Sequence, residues 1–181
     1  MVSAGLSASC ATLNGGTLAL MSGTMPASPE TALSGNTSLC TATYSATAFG
    51  APAYSSPNMV ATASFTAGSY TPTAAGTATF ARAYASNGTT VEADFTAGSN
   101  WIASQPAVLG QYCYANGNTY KVTTAGTSST TAPSGTTTFT DGTVTWTYVG
   151  ADQLFDVLIS NPAIQLAVPI SISQTMKQPA V

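Results

Sequence analysis

The sequence predicts an all-β fold: a discontinuous β-sandwich or jelly-roll-like outer unit with a small β module inserted into it. Three observations carry this. Residues 112–150 (YCYANGNTYKVTTAGTSSTTAPSGTTTFTDGTVTWTYVG) alternate with period two, Val144, Trp146 and Tyr148 against Thr143, Thr145 and Thr147, the mark of half-buried strands. Asn116-Gly117 and Asp141-Gly142 punctuate them as hairpin turns that favour positive φ. Before and after this stretch, short alternating runs separated by Gly and Pro recur, and no amphipathic helix of ordinary length is visible.

Taken in order, residues 1–14 are small and polar with a weak apolar rhythm, fitting a short helix or an extended arm. Residues 17–22 (TLALMS) read as a first strand. Pro26, Pro29 and Gly35 make 23–36 a loop, with Ser28 and Pro29 placed to start one helical turn. Residues 38–44 and 58–65 read as strands, with a loop over 48–57 between them. Residues 77–85 and 90–95 form a hairpin about Asn87-Gly88, and 98–110 is a linker carrying Trp101. After the inner stretch, 152–160 alternates again. Residues 164–173 read as a last strand with Leu166, Val168, Ile170 and Ile172 on one face and Pro169 marking an edge or bulge. The tail, 174–181, reads as extended and mobile. The outer unit is thus 1–105 plus 151–181, and the inserted module is 106–150. Within that module Tyr112, Tyr114, Tyr120 and Val122 are expected on one side of a hairpin.

Composition narrows the function. Only 5% of the 181 residues are charged, against roughly 25% in ordinary globular proteins. Regularly spaced Phe, Tyr, Trp and Val argue for folded strands over disorder, and a hydroxyl-covered surface suits a protein that works within an assembly. Arg82, Lys121 and Lys177 are scattered and cannot make the basic stripe that nucleic acid requires. The N-terminus lacks the pattern of a signal peptide, and no run approaches a membrane helix. Cys10, Cys40 and Cys113 leave open one disulfide with a spare thiol or three reduced thiols. Small buried hydrophobes in a reducing cytosol is the reading adopted.

Catalytic and metal chemistry find little here. There is no His, which removes Ser-His-Asp and Cys-His constellations, and no CxxC pair. Glu92 and Asp94 share a strand face and read as a solvent-facing edge beside a turn; Asp141 reads as serving its turn. No catalytic residue, metal ligand or cofactor is therefore expected. Tyr112, Tyr114, Tyr120, Trp146 and Tyr148 offer either a platform for sugar rings or the core of a unit with no other large side chains to bury. Trp101 reads as a hinge contact between the units.

Residues 16–45 (GTLALMSGTMPASPETALSGNTSLCTATYS), Phe49-Gly50, residues 76–99 (GTATFARAYASNGTTVEADFTAGS) and 155–173 (FDVLISNPAIQLAVPISIS) together resemble small structural proteins that coat the capsids of tailed bacteriophages. The inner stretch resembles a module repeated in phage virion proteins, through 115–122 (ANGNTYKV) and 141–150 (DGTVTWTYVG). Related modules have been likened to carbohydrate-binding modules. The resemblance implies a decoration or cement protein on the outer capsid surface, made in the host cytoplasm. Its partner would be the major capsid protein, bound as a homo-oligomer, dimer or trimer, with no role for nucleic acid or membrane. The outer unit would dock through the N-terminal arm and residues 165–173, with Gln165, Leu166, Val168, Ile170 and Ile172 as contacts, and the inner unit would project outward. The alternative is a tail or fibre component whose inner aromatics bind a host glycan.

Overall fold

A computed structural model describes residues 2–179; expectations for Met1, Ala180 and Val181 lie outside them. The chain runs α1 (Val2–Ala11), β1 (Thr17–Met21), β2 (Ser38–Phe49), β3 (Ala53–Ser55), β4 (Asn58–Phe65), β5 (Gly76–Thr77), β6 (Phe80–Tyr84) and β7 (Val91–Asn100). It continues through β8 (Pro106–Ala107), β9 (Tyr112–Ala115), β10 (Asn118–Thr124), β11 (Gly126–Thr127), β12 (Phe139–Asp141) and β13 (Val144–Ala151). It ends with β14 (Val157–Ile159), β15 (Ala163–Ile164) and β16 (Ile172–Pro179). The fold is all-β.

The main sheet closes on itself. Its order β7-β14-β16-β4-β2-β1-β6 returns to β7 because β6 also pairs with β7, giving a barrel-like ring. The interior is narrow, and alanines fill much of it: Ala42, Ala61, Ala81, Ala83 and Ala97 are all buried beside Leu18, Leu20 and Tyr44. Small residues let opposite walls of a small barrel approach. The helix packs on β2, β4 and β16 through Leu6, Cys10 and, just past its end, Leu13. That spacing is one helical face.

Strand β7 belongs to two neighbourhoods. Its first part pairs with β6, from Tyr84↔Val91 to Phe80↔Thr96. Its last residues pair in parallel with β14 on one side (Gly98↔Leu158) and with β9 on the other (Gly98↔Tyr112). From β9 the sheet runs on through β10 and β13 to β12. This extension has its own apolar cluster, built on Cys113, Tyr120, Val122, Val144 and Trp146.

Several local expectations are corrected. The chain at Ser28 makes a single turn, with Thr31 N donating to Ser28 O at 3.0 Å, and no helix. Half of the expected 48–57 loop is strand, since β2 reaches Phe49 and β3 covers Ala53–Ser55. Residues 98–100 of the expected linker are paired strand. Residues 164–173 are not one strand: Ala167 sits at φ 62°, Val168 N donates to Gln165 O at 3.3 Å, and Pro169 has no N–H to offer a ladder. The tail expected to be mobile is β16, paired with β14 and β4 up to Pro179↔Asn58. Of the two readings of the N-terminus the structure takes the short helix, over residues 2–11, and not the extended arm.

Candidate functional site

The carboxylates are held by specific partners. Arg82 grips Asp94 with a two-pronged fork, Nε to Oδ1 and Nη2 to Oδ2 both at 2.7 Å, with side chains only 4% and 5% exposed. Asp94 is therefore no solvent-facing partner of Glu92. The hydrogen bond to Asp94 raises the pKa of Arg82 further. The guanidinium also donates to Thr31 O at 3.3 and 3.4 Å, which ties the 22–37 loop over the outer face of β1 and β6. There Leu33 packs on Ala19, Met21 and Phe80.

Asp141 does more than serve its turn. It is 2% exposed and accepts from Trp101 Nε1 at 3.0 Å, from Ser129 N at 2.7 Å and from Ser129 Oγ. The carboxylate stitches the chain after β7 to the end of β12. The turn itself moves on by one residue: Asp141 pairs with Val144 and Gly142 alone takes positive φ (64°). Trp101, expected as a hinge, packs against the inner cluster. Asp156 accepts from Thr96 Oγ1 at 2.8 Å. Among the described residues no group of three or more His, Cys, Asp or Glu is placed to hold a metal ion.

The aromatics do not share one face. Asn116 and Gly117 both adopt positive φ (49° and 80°), as a two-residue primed turn requires. It pairs Tyr120 with Cys113 and Lys121 with Tyr112, so Tyr120 and Val122 point into the inner core while Tyr112 and Tyr114 point the other way. Tyr120 is 0% and Trp146 2% exposed, so neither can receive a ligand. Tyr120 OH donates to Gly135 O at 2.8 Å, and Tyr148 meets its ring edge-on at 6.1 Å. Tyr112 and Tyr114 remain half-buried. All three thiols are buried and unpaired, and burial pushes Cys113 up to about 12.

Two surfaces stand out. One is the turn after β15, where Leu166 and Val168 are 58% and 51% exposed and Gln165 is also exposed. Of the five contacts expected there, Ile170 is 3% exposed and belongs to the barrel core, and Ile172 packs half-buried against it. The other is an open cleft of about 540 Å³ between residues 23–25, Thr79 and Thr96 on one side and Leu109, Tyr112 and Lys121 on the other. Sequence reasoning missed it, because a cleft between distant segments leaves no periodic signal. The chain matches no family model, no curated protein and no solved structure.

Proposed function

We propose that this chain is a structural virion protein that binds the outside of a phage capsid and stabilises the shell by bridging major capsid protein subunits. The observation that carries the reading is the exposed apolar turn at Leu166 and Val168. It is flanked by Ile164 and Ile170, 3% exposed each, so two unpartnered hydrophobic side chains are presented from anchored backbone. Exposed apolar residues on a firm base are what a docking surface needs. The sequence resemblance supplies the identity of the partner.

In this reading the outer unit, residues 1–105 and 151–181, is a capsid-docking body of the sandwich or jelly-roll class, and residues 106–150 project outward. Copies associate as dimers or trimers on the shell, and many weak contacts add by multivalency. The burial of Leu6 and Cys10 gives the N-terminal helix a structural role, so the contact surface moves to Gln165, Leu166 and Val168. The test is to mix the purified protein with undecorated expanded heads and count bound copies by sedimentation and densitometry. Saturation at a fixed ratio to the major capsid protein, with heads that gain resistance to heat, is the expected result. Recovery of the protein only with tails would overturn it in favour of the tail-component reading.

A further inference from the structure

The cleft between the 23–25 segment and the inner sheet has a chemistry that specifies its ligand. Its volume, about 540 Å³, falls in the range of small-molecule sites. Lys121 is the one charged side chain lining it among the described residues. Its Nζ lies 5.2 Å from the Tyr112 ring centroid, a cation–π contact that holds the ammonium at the cleft wall. Among the described residues Lys121 makes no ion pair, so a ligand can take its charge.

The hydroxyls tell the rest. Thr79 Oγ1 gives its proton to Gly23 O, and Thr96 Oγ1 gives its proton to Asp156 Oδ2 at 2.8 Å. Neither has a proton to offer; Thr96 Oγ1 also accepts from Asp156 N at 3.2 Å, which leaves it one lone pair. At these two positions the cleft offers acceptors that suit a ligand's hydroxyl donors, while the Thr24 and Tyr112 hydroxyls of the lining can donate in turn. Met25 and Leu109, 40% and 67% exposed, flank the cleft with apolar surface suited to the C–H face of a sugar ring.

We propose that this cleft binds an acidic saccharide, its carboxylate at Lys121, its hydroxyls donating to Thr79 and Thr96, and a ring face against Met25 and Leu109. Of the five aromatics read from the sequence as a platform, Tyr112 alone lines this cleft, and Tyr120 and Trp146 are buried. The site stands independently of capsid docking.

The test uses the full chain and a glucuronic-acid-containing tetrasaccharide, with its carboxyl-reduced neutral form as control, titrated by calorimetry. Binding should saturate and weaken about tenfold or more for the reduced form, the effect of losing a charge-assisted hydrogen bond. Lys121→Gln should weaken it similarly, Lys121→Arg should retain it, and Leu109→Glu should abolish it by placing a like charge at the rim. Circular dichroism checks that each variant is folded. No saturation, equal affinity for the reduced form, or unchanged binding by Lys121→Gln overturns the proposal. Head binding is a separate assay on the same wild-type protein. Saturation of heads without saccharide binding overturns this inference alone, and the reverse overturns only the capsid reading.

Discussion

Phe155 covers Gly98 so closely that a Cβ at position 98 would stand 2.9 Å from ring atoms Cδ1 and Cε1. The same Cβ would stand 2.9 Å from Tyr112 O. Gly98 is the point where the strands that enter and leave the inner stretch, β9 and β14, flank β7. Its missing side chain lets the junction close. Gly98→Ala should destabilise the protein by about 1–3 kcal/mol, the range for forcing extra atoms into a packed site, and thermal denaturation of the variant measures it.

The C-terminal strand completes the ring, since β16 lies between β14 and β4. Truncation after Ser173 removes most of those pairings and opens the barrel. It also exposes the buried Tyr44, whose hydroxyl bonds to Gln174 Oε1. The truncated chain should fail to fold cooperatively, with loss of a sharp denaturation transition. A mobile tail would have been dispensable.

Asp94→Asn leaves the Arg82 guanidinium buried without its counter-charge. Breaking a buried pair from one side costs about 3–5 kcal/mol. The loss should appear in denaturant midpoints, along with faster proteolysis in the 22–37 loop that Arg82 tethers.

Alkaline pH should weaken the fold through its thiols. Burial raises Cys113 from 9.0 to about 12. Below pH 9.0 both folded and unfolded chains keep the proton and the full stability is present. Between 9.0 and about 12 the unfolded chain has lost a proton that the folded chain retains, so stability falls as pH rises. Cys10, Cys40 and Tyr44 are shifted upward by burial in the same sense. Denaturant titrations across this window should show a shallower decline for Cys113→Ala than for wild type, and the native thiols should resist a thiol reagent at neutral pH.

The strands with mixed apolar and hydroxyl alternation were legible. β4 spans the expected 58–65, and Asn116-Gly117 makes the expected turn. The turn also held information that the periodicity obscured. A two-residue turn pairs odd-numbered with even-numbered positions, so Tyr112 and Tyr120 had to face opposite ways. Helix α1 could not be told from an extended arm because Ala, Ser and Gly surround its Leu6 and Cys10 (VSAGLSASCA). Strand β16 hid because ISQTMKQP is polar, although Gln174 within it is 1% exposed. Ring closure rests on pairings such as β16 with β4 and β14 with β7, which are non-local. The roles of Asp94 and Asp141 depended on Arg82 and Trp101 arriving from other elements.

Head binding by wild type and a Leu166→Asp/Val168→Asp variant tests the central claim most directly. Both side chains are exposed, so the variant should keep the wild-type melting temperature. Wild type should saturate undecorated expanded heads at a fixed ratio to the major capsid protein, and the variant should bind at least about tenfold more weakly, as loss of a buried apolar anchor predicts. Absence of saturable wild-type binding, or equal binding by the folded variant, would contradict the account.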